Sequence, residues 1–478
     1  MNPAFTAARL LALAAMLTLL GACAADPKYL RPDVAAPSAY KEAGDWKIAQ
    51  PRDTVNRGKW WEIFWDAGLN ALAEQIDISN QNVRIAEARF RQARALVQSA
   101  RAGLLPSVTG RGSVTRSGFP SGATRSGGAT TAYNASVDAD WEVDLWGRVR
   151  NTVEASAAGA LASAADLEAA RLSAQAELVL NYFQLRVLDG QRQLLENSVA
   201  AFQKSLELTR NRYAAGVAGK VDVVQAETQL KSTQAQAIDI RVQRAQLEHA
   251  IAVLIGRPPA EFSLAPVPLN LAIPAVPLEL PSELLERRPD IAAAERRVAA
   301  ANAQVGVSKS AFFPALTLSA SAGFQNSSLA QWLTMPSRFW AVGPAIAQSI
   351  FDAGLRRALT DQAIAVYDAN VAAYRQTVLD GFQEVEGNLA ALRTLEQEAR
   401  VQADAVEAAR QSVELTLNQY KAGTVSYLNV VAVQTAQLNN ERAAASILGR
   451  RLTAAVTLVK ALGGGWSAAE LPASEPPR

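Results

Sequence analysis

The stretch SVDADWEVDL, residues 136–145, alternates without a break. Val137, Ala139, Trp141, Val143 and Leu145 fall on one side of an extended chain, and Ser136, Asp138, Asp140, Glu142 and Asp144 on the other. Successive side chains of a strand point to opposite faces, so this is a strand with one apolar and one strongly polar surface. A companion run, residues 108–116, alternates small or apolar residues with Thr109, Arg111, Ser113 and Thr115, and the intervening residues 117–130 are rich in Gly, Ser and Thr. Together they predict a β-hairpin with a loop at 117–130. The pattern returns where Leu316, Leu318, Ala320, Ala322 and Phe324 alternate with Thr317, Ser319, Ser321, Gly323 and Gln325, followed by a loop near 326–337 and a return strand at 339–351. Such strands fit either a soluble sheet with one wet face or the wall of an outer-membrane barrel.

The rest of the chain reads as helix. No proline occurs at 121–257 or 345–471, and both stretches are rich in Ala, Leu, Gln, Glu and Arg. Very long helices follow; residues 148–213 alone, at ~1.5 Å each, would span ~100 Å. Leu178, Leu185, Arg192, Val199, Leu206 and Tyr213, joined by Leu188, Leu195 and Phe202, mark a coiled-coil seam, as do Val378, Val385, Leu392, Ala399, Val406, Val413 and Tyr420. The two series belong to an internal repeat. Ala86, Glu87, Arg89, Pro106 and Thr109 recur 208 residues later as Ala294, Glu295, Arg297, Pro314 and Thr317; Asn211, Tyr213, Gly216 and Gly256 recur at an offset of 207 as Asn418, Tyr420, Gly423 and Gly463. Eight of the twenty-one prolines crowd into residues 258–289, between the halves, and mark either an ordered connector running across the helices or a linker.

Composition removes whole classes of function. Among 478 residues, 47 Lys and Arg face 45 Asp and Glu, which leaves no basic surplus for nucleic acid. One Cys, one His and three Met supply no disulfide, zinc site or Cys-His nucleophile pair. Arg9 and the apolar residues 10–20 read as a signal-peptide core, too short for a spanning helix. Leu20-Gly21-Ala22-Cys23 then matches a bacterial lipobox, which makes Cys23 the lipidated first residue of the mature chain and its lipid the only group expected on the protein. Ordinary cleavage after Ala22-Cys23-Ala24 is the competing reading.

Several stretches resemble TolC-like outer-membrane efflux channels, in the lipoprotein branch called the NodT family. They are WWEIFWD (60–66), Pro106 and Pro314 at the strand starts, WEVDLWGR (141–148), RYAAGVAGKVDVVQAETQL (212–230), LPSELLERRPDI (280–291), FDAGLRR (351–357) and QYKAGTVSYLNV (419–430). The resemblance runs from Trp60 to Leu462, and LPSELLERRPDI is its most specific part. It implies an α+β membrane protein: a trimeric twelve-stranded outer-membrane barrel, four strands per chain, continued by a long periplasmic α-helical barrel. On this plan residues 1–22 are signal peptide, 23–67 an N-terminal anchor and equatorial segment, and 68–257 a first repeat with its hairpin at 104–146. Residues 258–281 form the connector, 282–465 a second repeat with its hairpin at 312–351, and 466–478 a tail. Physics asks for the oligomer independently. Four strands cannot close a barrel, and an open edge in lipid leaves backbone groups unpaired.

Function is constrained by absence as well. No nucleotide-binding fingerprint is present, so the duct is passive. The resemblance implies an inner-membrane pump and a periplasmic adaptor as partners, with drugs or other toxic compounds as cargo. Outer-membrane lipid surrounds the barrel. The turns at 214–220 and 421–427 reverse long helices, with Gly216 and Gly423 suited to left-handed caps; the resemblance makes Gly216, Val217, Ala218 and Gly219, with Gly423, Thr424, Val425 and Ser426, the tips that meet the adaptor. It also places a periplasmic gate at Tyr420, Val425, Leu428, Asn429, Ala432 and Asp222. Many relatives carry acids where this chain has Asn429 and Ala432, and some an arginine at Val425, so charged rings are absent here. Asp138, Asp140 and Glu142 are expected in the barrel lumen. Rival readings are a duct for type I protein secretion and a non-conducting periplasmic coiled-coil lipoprotein; an enzyme has only scattered carboxylates to use, and His249 reads as a surface or packing residue.

Overall fold

A computed structural model describes residues 29–43, 59–119, 128–268, 273–274 and 286–472. Cys23, the signal segment and residues 280–285 of the LPSELLERRPDI motif lie outside them. The order is α1 (Ala67–Ser79), α2 (Gln81–Ala102), β1 (Ser107–Phe119), β2 (Gly128–Val143), α3 (Arg148–Ala214), α4 (Lys220–Leu254), α5 (Pro289–Ser310), β3 (Ala315–Asn326), β4 (Arg338–Ala347), α6 (Leu355–Ala422) and α7 (Tyr427–Ala461). The long helices α3 and α6 have 67 and 68 residues, about 100 Å each. Both start from a left-handed glycine, Gly147 or Gly354. Ahead of it an aspartate satisfies first-turn amides: Asp144 accepts from Val149 N (3.0 Å) and Arg150 N (2.8 Å), Asp352 from Gly354 N (3.0 Å) and Arg356 N (3.3 Å).

The four strands form one antiparallel sheet in the order β1-β2-β3-β4. Three boundaries differ from the sequence reading. Pairing continues to Phe119 opposite Gly128, inside the expected 117–130 loop. β2 stops at Val143, because Asp144 is committed to the start of α3. The return strand ends at Ala347 rather than residue 351: Ala347 faces Ala315, the first residue of β3, so no partner remains for residues 348–351.

The duplication is reproduced contact by contact where helices meet end to end. α4 ends at Gly256 (φ +69°), whose Cβ, if present, would lie 2.4 Å from Ser79 O; α7 ends at Gly463 (φ +91°), whose Cβ would lie 1.9 Å from Arg287 O. Ser79 and Arg287 are themselves repeat mates. Next along, Asn80 Nδ2 donates to Leu254 O (2.7 Å), and its mate Arg288 donates from Nη1 to Ala461 O (3.3 Å). Different side chains thus close equivalent joints. Arg288 is buried, and Asp290 and Glu384 (2.6 Å each) compensate its charge.

One apolar cluster, including Trp60, Trp61, Leu178, Tyr182, Leu185, Tyr374, Val378 and Val385, fills the middle of the protein; a second, with Leu195, Phe202, Leu206, Tyr420, Tyr427 and Val430, fills the end far from the sheet. Leu178, Leu185, Leu195, Phe202, Leu206, Val378, Val385 and Tyr420 among them are predicted heptad residues, whereas Trp60, Trp61, Tyr182, Tyr374, Tyr427 and Val430 are not, and the predicted Tyr213 is exposed. Each fully buried Leu or Val contributes roughly 1.5–3 kcal/mol. Residues 258–268 of the connector pack on α3 and α4. Arg186 donates to Ala265 O (2.8 Å), and Arg244 donates to Leu264 O while paired with Asp189 (2.7 Å) and Glu248 (3.0 Å).

Candidate functional site

The register sorts the sheet into two unlike faces. Val108, Val114, Tyr133, Val137, Trp141, Leu316, Leu318, Phe324, Trp340, Val342 and Ile346 share one face; Thr109, Arg111, Ser113, Asn134, Ser136, Asp138, Asp140, Glu142, Thr317, Ser319, Ser321 and Gln325 share the other. Trp340, Val342 and Ile346 are each 73% exposed, so nothing described in this chain covers the apolar face. Aromatic residues mark both ends of the sheet. Near the hairpin loops Tyr133 lies 5.7 Å from Trp332; near the helices Trp146 stacks on Phe313 at 4.8 Å and donates to Pro314 O (2.7 Å). Among the described residues no helix is long and apolar enough to cross a membrane.

The three acids expected in the lumen do share the polar face, but two are neutralised. Asp138 lies 3.6 Å from Arg111, and Glu142 takes two 2.6 Å hydrogen bonds from Arg148. Asp140 is exposed.

At the opposite end, α3–α4 and α6–α7 form two hairpins. Gly216 (φ +75°) and Gly423 (φ +81°) are left-handed, as their positions predict. Gly216, Val217, Gly219, Gly423, Thr424 and Ser426 are exposed, and Ala218 and Val425 half-buried. Leu428, Asn429 and Ala432 lie exposed along one flank of α7, the i, i+1, i+4 spacing of a helix face. Tyr420 does not join them. It is buried, in edge-to-face contact with Tyr427 (5.4 Å), and its hydroxyl donates to Thr209 Oγ1 (3.3 Å). Burial pushes the Tyr427 phenol up to about 12. Asp222 is half-buried and accepts from Gly219 N (3.2 Å), capping α4. Arg212, which sequence reasoning passed over, holds the two hairpins together: its guanidinium lies 4.8 Å from the Tyr420 ring centroid and its Nη1 donates to Lys421 O (3.0 Å). Its repeat mate is Gln419, so the duplication gave no sign of it.

A sheet apolar on one side and polar on the other, continued by about 100 Å of helix that ends in capped hairpin tips, defines an outer-membrane channel with a periplasmic extension. The outer membrane efflux protein family matches residues 72–257 and 280–464, and the chain belongs to that family. It is 33% identical over 470 residues to the toluene efflux pump outer membrane protein TtgC of Pseudomonas putida, covering 96% of each chain. It is 31% identical over 464 residues to the pyoverdine export outer membrane protein OpmQ of Pseudomonas aeruginosa, covering 95% of this chain and 97% of OpmQ. The solved structure of the outer-membrane channel OprN matches with a TM-score of 0.87 at 33% identity, over 92% of this chain and 99% of that one. The chain is an outer-membrane exit duct of tripartite efflux systems, and it extends from that membrane into the periplasm.

Proposed function

We propose that three copies of the chain close a single passive duct, each giving four strands to a twelve-stranded barrel. The carrying observation is the sheet: it has an apolar outer face, a polar inner face and unpaired β1 and β4 edges, which one chain cannot satisfy in lipid. Cys23 carries the acyl anchor. An inner-membrane pump supplies energy, and a periplasmic adaptor seats on residues 216–219 and 423–426. Leu428, Asn429 and Ala432 line the periplasmic gate, with Val425, Tyr420 and Asp222 packed behind them. The duct performs no chemistry on its cargo. Small organic molecules are the favoured cargo over polypeptides, because the relatives are named for toluene and pyoverdine.

The test combines sidedness and assembly. A cysteine replacing Ser328 should react with an impermeant thiol reagent on intact cells and one replacing Ser426 should not, while the protein runs as a heat-dissociable trimer. Equal labelling at both positions, or a monomer in mild detergent, would overturn the reading. The anchor is tested by mass: the mature chain should start at an acylated Cys23, and a start at Ala25 would remove it.

A further inference from the structure

Outside the last residues of β2, the four strands and their hairpin loops have an unusual charge inventory. Residues 107–137 and 315–347 contain Arg111, Arg116, Arg125 and Arg338 but no Asp, Glu, Lys or His. Arg111 is on the polar face beside Asp138 (3.6 Å). Arg125 lies outside the described residues. Arg116 and Arg338 remain, and the register puts both on the apolar face: Arg116 is two residues beyond Val114 on β1, and Arg338 two residues before Trp340 on β4, opposite Phe324. Both are exposed, with no ion-pair partner among the described residues. They stand near the loop ends of their strands, at the level of the Tyr133–Trp332 aromatic pair.

An arginine on the lipid face is costly at the middle of a bilayer and nearly free at its interface. Its aliphatic stem covers apolar surface while the guanidinium reaches the headgroups. Guanidinium presents a planar fork that matches a phosphate with two parallel hydrogen bonds, a match that a lysine ammonium lacks. With no acid of the chain nearby on this face, anionic headgroups are the complementary partner. β1 and β4 are also the two edge strands. Closure by identical copies sets β4 of one against β1 of the next, which brings Arg338 and Arg116 to the same seam on the outer surface.

We propose that Arg116 and Arg338 form, at each seam between copies, a site for the phosphate groups of outer-leaflet lipid headgroups, so that the lipid bridges neighbouring chains. This rests on the three-copy reading above. Purified channel in detergent is titrated with bisphosphorylated lipid A, its dephosphorylated form and inorganic phosphate, and bound molecules are counted by native mass spectrometry. The unsubstituted channel should retain lipid A about tenfold more tightly than the Arg116→Gln/Arg338→Gln double variant, the scale expected for losing charge-assisted contacts. Arg116→Lys/Arg338→Lys should fall between them, and Arg111→Gln, on the lumen face, should bind like the unsubstituted channel. Should the double variant not assemble, each single Gln variant should show part of the loss. Equal retention by all variants, equal binding of the dephosphorylated lipid, or equal affinity for inorganic phosphate overturns the site. If the variants remain trimeric with undiminished lipid binding, the site alone falls; if the unsubstituted chain is monomeric, the three-copy reading falls and the seam with it.

Discussion

Arg212, in the last turn of α3, caps the last turn of α6 through Tyr420: the guanidinium sits 4.8 Å from the ring centroid and bonds the neighbouring carbonyl of Lys421. The ion pairs Arg210–Glu227 and Arg410–Glu441 each lie inside one hairpin. Among the described residues none crosses between the hairpins at this end, so they can part without separating opposite charges. Arg212→Ala removes a cation–π contact worth about 0.5–2 kcal/mol. It should raise mean conductance in planar bilayers and speed proteolysis at the tips, with Arg212→Lys intermediate. Unchanged conductance and cleavage would mean that the apolar cluster and the hydrogen bonds Tyr420–Thr209 and Gln434–Ser205 hold the tips without Arg212.

The exposed flank of α7 carries Leu428, Asn429 and Ala432 and no acid. Three aspartates at one level of a narrow mouth would attract multivalent cations strongly. The unsubstituted channel should resist block by trivalent cations from the periplasmic side, and Asn429→Asp should create block. Strong block without substitution would place another acid in the mouth.

Two left-handed glycines should respond unequally to Ala. Gly216 has nothing within 4 Å of its Cβ position, whereas at Gly463 an added Cβ would meet Arg287 O at 1.9 Å. Gly216→Ala carries only the backbone cost of about 1–2 kcal/mol; Gly463→Ala adds overpacking of about 1–3 kcal/mol. The temperature at which the assembled form dissociates should therefore fall further for Gly463→Ala. Equal losses would show that the joint yields.

Tyr427 sets a pH window. Its folded-state value of about 12 lies above the ordinary value of 10.0, so folding favours the neutral phenol. That stabilisation is complete below pH 10 and is lost as the pH climbs through 12. Tyr427→Phe should remove one late-ionising phenol from an ultraviolet titration. A variant titrating like the parent would place Tyr427 in water.

Much of this was legible because it is local. The alternation at Ser136 to Leu145 settles which face each side chain takes, whatever the sheet later packs against, and the glycine at each hairpin tip follows from helix-capping geometry. The strand ends were not legible, because they depend on where the neighbouring strand begins: Ala347 is last only because Ala315 is first. Asn80 and Arg288 hid their equivalence by filling one role with unlike chemistry. The contacts of Tyr420 with Thr209 and Arg212 were not legible either, because they join two hairpins about 210 residues apart in the chain.

The end-to-end contacts at Gly256 and Gly463 bear on how such a duct can change length. α3 and α6 are unbroken rods, whereas α2 with α4, and α5 with α7, are rods in two pieces. A heptad added to α3 beyond the joint must be answered by one in α4, and both again in α6 and α7, or the tips no longer lie level. Adapting to a wider or narrower periplasm is therefore a matter of four coordinated insertions, and a single change in any one helix shows up as a misaligned mouth.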